Sequence, residues 1–319
     1  MKWNKQGRFL NIEKRSEFQW SYAGLPTVDF LSDKVWRIYY TARDKKNMSR
    51  PFYVDVEAGN PHNIIKWHDE PILDVGKLGS CDEMGVTPCT ICNFGDRKFM
   101  YYVGWTVRNT ISYHNSNFLA ISEDGGDTWK KVEGPVISPT PWEPYCSASP
   151  FVLNDEGLLK MYYASFVGWE MYDNHPEPMY NIKYAESKDG LIWNRGPHTA
   201  VDFKSGHPDF SEGGVAKPSV IREGDLYRIW YTYRGAADYR TNREHSYRIG
   251  YGESKDGKTF TRMDHRAGID ISDEGWDDTM VTYPHVVRWK DQYYLFYNGN
   301  MFGKTGAGFA TLNAMEIDQ

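Results

Sequence analysis

Three markers recur along this chain with one period, and together they limit what it can fold into. A proline inside an apolar run stands at Pro26, Pro88, Pro150, Pro218 and Pro284, in steps of 62, 62, 68 and 66 residues. An aromatic pair follows each one: Tyr39-Tyr40, Tyr101-Tyr102, Tyr162-Tyr163, Trp230-Tyr231 and Phe296-Tyr297. A further aromatic closes each unit but the last, at Trp67, Trp129, Trp193 and Phe260. Self-similarity at a fixed spacing is the sequence signature of a repeat architecture. Each unit reads as four short strands with turn signals between them; in the second they are VTPCTIC, KFMYYVGW, NFLAISED and TWKKVEGPVI. Four-stranded units set around an axis predict an all-β propeller, and the period is too long for WD40 or kelch repeats.

Five such units account for the whole chain, so a single five-bladed domain over residues 1–319 is expected, with four-stranded antiparallel blades. The blades fall at approximately 18–75, 80–138, 143–202, 210–271 and 277–312. The last unit lacks a fourth strand, and residues 1–12 supply one: Trp3 precedes Trp67 by 64 residues, in register with the other closing aromatics. An N-terminal strand that completes the last blade leaves no exposed sheet edge. The turn SEDGGDTW (Ser122 to Trp129) matches the Asp-box pattern, with weaker copies at SKDGLIW and SKDGKTF. Asp-Gly there supplies the positive φ of a tight hairpin, so these aspartates read as structural.

Charge excludes some partners. The 37 basic and 43 acidic side chains are spread without runs, whereas nucleic-acid binding needs a concentrated basic face. No window approaches a membrane span, and the first residues have no apolar leader core, which points to the cytoplasm. Cys81, Cys89, Cys92 and Cys146 fit that compartment as free thiols. Cys89-Thr-Ile-Cys92 has the spacing of a redox or zinc site, but in a strand those residues point to opposite faces, so buried thiols are expected.

The first strand of a propeller blade lines the axis, and its start lies on the same face as the loop between strands two and three. Just before the register prolines the chain is acidic: Asp82, Glu212 and Asp278 lie six residues ahead, with Glu83, Glu143 and Asp277 one residue to either side. Carboxylates converging on one axis repel one another and acquire shifted pKa values, an arrangement suited to catalysis. Turn capping, pairing with arginine and cation binding are the plainer roles. Arg43 and Arg234 stand at equivalent places three residues after the aromatic pair, where the other units carry Trp105, Phe166 and Asn300. Nearby lie Arg108, Trp169, Arg240, Asn298 and Lys304. Rings stack on pyranose faces and amides take hydroxyls, and 16% of the chain is aromatic. The arginines either pair with the acids or bind an anionic group of the substrate. His114, His175 and His285 are candidate acid–base groups or, more plainly, hydrogen-bonded fillers.

Five blades with first-strand acids resemble the glycoside hydrolase clans of arabinanases, β-xylosidases, invertases, levansucrases and mannoside phosphorylases. The segments CDEMGVTP, PWEPYCSASP, SEGGVAKPSV and FYNGNMFGKTGAGFA are similar to bacterial proteins loosely called glycosylases, often encoded among surface-polysaccharide genes. By position, the resemblance matches Asp82 to the blade-two orienting Asp and Glu143 to the blade-three acid. SYAGLPTV holds no acid to match the blade-one base, and the invertase-type NDPNG motif is missing.

The resulting expectation is a glycosidase acting on a carbohydrate, with Glu143 as general acid and Asp82 as base or nucleophile. Glu212 and Asp278 would orient them. Arg43, Glu83, Trp105, Arg108, Trp169, Arg234, Arg240, His285, Asn298, Asn300 and Lys304 would bind substrate. Two alternatives stay open: glycosyl transfer or phosphorolysis from an activated or phosphorylated sugar, and a non-catalytic sugar-binding propeller. No cofactor is implied. Oxygen ligands around the axis leave room for a central calcium, although no loop has calcium-binding spacing.

Overall fold

The computed structural model describes residues 1–204 and 211–318; the expected start of the fourth unit at 210 lies outside the described residues. The fold is all-β. After β1 (Asn4–Leu10) the chain forms antiparallel ladders in sequence order. The first is β2 (Ser21–Phe30), β3 (Val35–Arg43), β4 (Ser49–Glu57) and β5 (Asn60–His68). The second is β6 (Gly85–Phe94), β7 (Arg97–Val107), β8 (Tyr113–Ser122) and the short β9 (Lys130–Lys131). The third is β10 (Ser147–Asp155), β11 (Leu158–Tyr172), β12 (His175–Ser187) and β13 (Asn194–Val201). The fourth is β14 (Glu212–Glu223), β15 (Leu226–Gly235), β16 (Arg248–Ser254) and β17 (Thr261–Arg262). In the last, β18 (Thr282–Trp289), β19 (Gln292–Asn298) and β20 (Ala307–Asn313) are joined by β1, which runs antiparallel to β20.

The aromatic pairs hold the ladders together. Successive strand residues point to opposite faces, so each member of a pair enters a different core. Tyr40 packs with Phe296 and Phe309, joining the first ladder to the last, while Tyr39 packs with Met100 and Tyr102 of the second. Tyr101 and Tyr163 join the second ladder to the third, Tyr162 and Tyr231 the third to the fourth, and Trp230 and Tyr297 the fourth to the last. Burying one such ring stabilises by roughly 1.5–3 kcal/mol, so these pairs are a main cohesive element. Trp3, from the N-terminus, meets Trp230 edge-on with centroids 6.1 Å apart.

The Asp-box turns are braces. Asp124 accepts from Thr128 Oγ1 at 2.5 Å and from the Thr128 amide at 2.9 Å, and the Trp129 indole donates to the Gly126 carbonyl. Asp189 and Asp256 repeat the motif. Cys89 and Cys92 are buried free thiols.

The register prolines mark a bulge. Each first strand slips register there: between Gly24 and Thr27, Pro88 and Thr90, Ala148 and Phe151, Ala216 and Ser219, and Thr282 and His285. Proline cannot donate to the ladder, so an interruption at that point costs little. The preceding residue takes a left-handed backbone at Leu25 (φ 51°), Ser149 (φ 52°), Lys217 (φ 47°) and Tyr283 (φ 58°). A non-glycine residue there is strained, and four at equivalent places mark where the fold invests in geometry.

Candidate functional site

The bulges aim side chains at a central cavity. Leu25, Thr87, Ser149 and Tyr283, each immediately ahead of its proline, line a space of about 550 Å³. Lys217, the fifth residue of that set, is fully buried instead, its Nζ 3.4 Å from the Cys89 carbonyl. Aromatic and cationic side chains make up much of the remaining wall, Tyr22, Trp105, Tyr113, Tyr239, Tyr247 and Phe302 with Arg43 and Arg240, alongside neutral polar and aliphatic residues such as Asn47, Ser49, Asn115 and Val103. No carboxylate is among the described residues that line it.

Arg43 sits over Tyr22 at 4.4 Å and Trp105 at 5.9 Å, and donates to Asn47 Oδ1 at 2.8 Å. It has no carboxylate partner among the described residues. Trp105 is seated by its Nε1–H to Ser49 Oγ at 2.8 Å and by the missing side chain of Gly85, where a Cβ would fall 1.9 Å from that nitrogen.

A second cavity of about 450 Å³ adjoins the first, and His175 lines both. It contains the carboxylate nearest the central wall, Glu177. That buried side chain accepts from Tyr239 Oη at 2.7 Å and Arg240 at 2.5 Å, and His175 Nδ1 lies 3.0 Å away. Burial pushes the Glu177 carboxyl up, but the bonds from Arg240 and Tyr239 outweigh it and hold the group below its ordinary value. Glu177 is thus held ionised at the border of the two cavities. Sequence reasoning missed it because it lies on the far part of the β11–β12 hairpin.

The acids expected to form a funnel are not among the residues that line the central cavity. Each buried acid at or just before the start of a first strand is clasped within its own ladder by a base on the fourth strand, and in three of the four by the second tyrosine of the aromatic pair as well. Asp82 accepts from Lys131 Nζ at 2.8 Å and Tyr102 at 3.3 Å. Glu143 accepts from Tyr163 at 2.9 Å and Ser165 at 3.1 Å, with Arg195 3.7 Å away. Asp277 takes Lys5 at 2.7 Å and Tyr297 at 2.9 Å. Glu212 is held by a two-pronged bond from Arg262 at 2.7 and 2.9 Å, and here Tyr231 turns to Asp264 instead. In the first ladder neutral Gln19 takes the acid's place, accepting from Tyr40 at 2.6 Å and donating to the Asp69 carbonyl. Charged, bidentate and buried pairs of this kind hold strands in place. Asp82, Glu143 and Glu212 are therefore tied to separate ladders and do not line the cavity.

In the last unit the clasp acid is Asp277, one residue from Asp278. Asp278 instead accepts from Asn300 at 2.7 Å and from Thr279, which lowers its pKa. Asn300 also accepts from the Thr279 and Met280 amides, so both residues brace a loop. Glu83 does similar work, accepting from the Gly79 amide and Thr106, with a lowered pKa.

Of the expected substrate-binding residues, the structure brings Arg43, Trp105 and Arg240 to the cavity. Arg234, at the place equivalent to Arg43, is buried behind the wall. Asn298 is buried too, accepting from the Leu25 amide and donating to Ala23 and Gly306, so it shapes the first bulge. His285 is buried, and burial together with Lys217 disfavours its charged form. Trp169 packs on Phe166 and Tyr113, whereas Arg108 and Lys304 are exposed away from the cavity lining. No group of three or more potential metal ligands occurs among the described residues.

No family model matches the chain. Two Mycobacterium tuberculosis proteins do: uncharacterized protein MT1551 of strain CDC 1551 / Oshkosh and uncharacterized protein Rv1502 of strain H37Rv. Each is 32% identical over 313 residues, covering 98% of this chain and 99% of the relative. Among solved structures, a glycoside hydrolase superposes with a TM-score of 0.73 at 16% identity, over 97% of this chain and 92% of the other. A structure from the GH130 family of mannoside phosphorylases, a family containing glycoside hydrolases that target β-1,2 mannosidic linkages in Candida mannan, gives 0.70 at 17% identity over 98% and 94%. The β-1,2-mannobiose phosphorylase of Listeria innocua, bound to β-1,2-mannobiose, gives 0.68 at 13% identity over 99% and 98%. At such identities the likeness is one of fold. The chain belongs to the family of MT1551 and Rv1502, built on the β-propeller fold of glycoside hydrolases and mannoside phosphorylases.

Proposed function

We propose that the protein is a carbohydrate-active enzyme, one five-bladed domain over residues 1–319, that makes or breaks a glycosidic bond in its central cavity. In this reading each ladder is a blade of four strands. The sugar stacks on the aromatic wall, and an anionic group, either a phosphate or carboxylate of the substrate or inorganic phosphate, docks on Arg43. The observation that carries the reading is the uncompensated Arg43 guanidinium on a cavity wall without a carboxylate. Hydrolysis by paired carboxylates needs two acids flanking the bond. With hydrogen phosphate as nucleophile no protein base is required, and its own proton can pass to the leaving sugar oxygen. With a phosphorylated donor the departing phosphate can take the acceptor hydroxyl's proton, so phosphorolysis or transfer suits this wall better. Four free thiols fit a reducing compartment, the cytoplasm.

The test is thermal stabilisation by neutral oligosaccharides, sugar phosphates and nucleotide sugars, with and without inorganic phosphate. A ligand at 100 times its dissociation constant stabilises by about 2.7 kcal/mol. Phosphorylated ligands should stabilise the native chain and not Arg43→Ala. Equal stabilisation of both proteins, or by neutral sugars alone, sinks the anion site.

A non-catalytic sugar-binding propeller is the second reading, favoured by the pairing of every expected catalytic acid except Asp278 with a base. Stabilisation by a sugar that is never turned over, with phosphate present, would select it.

A further inference from the structure

Behind the aromatic wall lies a chain of buried polar groups whose hydrogen-bond direction is fixed by its first member. Arg234 is wholly buried and has no carboxylate partner among the described residues. Its guanidinium donates to the carbonyls of Pro178 and Gly235 and, through Nε, to Tyr180 Oη at 2.9 Å. It stacks on Tyr239 at 4.0 Å and Tyr180 at 4.8 Å, which holds it in place. Tyr180 Oη lies 2.7 Å from Tyr247 Oη.

Arginine only donates, so Tyr180 must accept from it. That leaves two ways to place the hydroxyl protons. If Tyr247 donates to Tyr180, the Tyr180 proton has no acceptor in a buried place away from the cavity, which costs about 1–3 kcal/mol. If Tyr180 donates to Tyr247, its proton is satisfied, and Tyr247 directs its own into the cavity it lines. The second arrangement leaves a single proton to place, that of a residue on the cavity wall. Tyr239 makes the contrast: its proton is committed to Glu177 at 2.7 Å.

We infer that Tyr247 is a hydrogen-bond donor to a ligand oxygen in the central cavity, and that Arg234, acting through Tyr180, is the positioning residue that turns it there. The inference rests on the reading that this cavity takes the ligand. Burial also holds the Tyr247 phenol well above its ordinary value, so it stays protonated as a donor.

Two measurements test it. The first needs no ligand: the protein carries tyrosine labelled with carbon-13 at Cζ, and Tyr180→Phe and Tyr247→Phe assign the two signals. In a mixture of light and heavy water, a slowly exchanging hydroxyl splits its Cζ signal and a fast one does not. Tyr180 should be split and Tyr247 averaged; the reverse overturns the inference whatever the cavity binds. The second is affinity for inorganic phosphate and glucose 1-phosphate. Tyr247→Phe should weaken binding of the sugar phosphate about tenfold, as expected for one hydrogen bond to a charged or sugar oxygen. Loss of binding in Arg43→Ala with native affinity in Tyr247→Phe overturns the donor role and leaves the proposed function standing. Native affinity in both variants removes the cavity reading and the inference together. With probes that do not bind, the exchange rates decide.

Discussion

The clasps and the central cavity are built from the same residue types and behave in opposite ways. In the clasps a buried acid is committed to a half-buried base, with a buried tyrosine in most of them, as Glu212 is to Arg262 and Asp277 to Lys5 and Tyr297. At the cavity, tyrosines and arginines line open space, and no described carboxylate answers Arg43. Arg43 and Arg234 sharpen the contrast, since equivalent places in two ladders give one cation on the cavity wall and one that is buried. A charged residue in a repeat is therefore not assigned a role by its register alone. What decides is whether its neighbours leave any of its bonds unmade.

The largest effect should come from splitting a clasp. Arg262→Ala leaves the Glu212 carboxylate buried, and breaking such a pair from one side costs about 3–5 kcal/mol. Chemical denaturation should read that loss, and the double variant Glu212→Gln with Arg262→Met should recover part of it. A loss below about 1 kcal/mol would mean that the clasp does not hold the fold. Next, Arg43→Ala should leave stability near native while weakening an anionic ligand by about 1.5–3 kcal/mol, the range for hydrogen bonds to charged groups. Calorimetric titration with a sugar phosphate measures it. A variant that unfolds instead would move Arg43 to the structural side of the comparison.

Glu143→Gln separates the two regions at the residue the family resemblance singles out as general acid. Gln keeps the shape and some of the bonds from Tyr163 and Ser165 but removes the charge facing Arg195. The expected loss is about 1–2 kcal/mol of stability, with turnover of any identified substrate retained. Abolished turnover at native stability would return Glu143 to catalysis and break the comparison.

Much of the clasp was legible in the sequence. Acid, second tyrosine and base all keep the repeat's period, and the bases stand two residues after the closing aromatics: Lys131 after Trp129, Arg195 after Trp193, Arg262 after Phe260 and Lys5 after Trp3. Reading the acids without those bases makes them look like a converging funnel. The slip from Asp277 to Asp278 has a different cause: the segment before the strand varies in length, so counting back from a proline fails by one residue. At the cavity, Arg43, Trp105 and Arg240 were legible because loops between the second and third strands must reach one face. Tyr22 and Tyr283 were not. Both have left-handed backbones, and a bulge reverses which face a side chain takes in a way alternation cannot reveal. Tyr247 escaped for a simpler reason, since it precedes β16 in a loop with no periodic marker.

The smallest effect concerns the one bulge residue that turned away from the cavity. Lys217 is fully buried with a carbonyl as its polar contact, and burial pushes its ammonium down to about 8. An unfolded lysine keeps its proton up to about pH 10.4. Between those values the unfolded state binds more protons, so stability rises with pH through that window. Below about pH 8 the folded chain carries the charge and its full desolvation cost. Lys217→Met should therefore stabilise the protein at pH 7, on the order of 1 kcal/mol, and the gain over native should shrink towards pH 10. Thermal unfolding of both proteins across pH 7–10 measures the difference. A gain that does not change with pH would show that Lys217 affects packing and not charge. A loss at every pH would show that its ammonium has an acceptor the fold depends on, and would place Lys217 with the clasps.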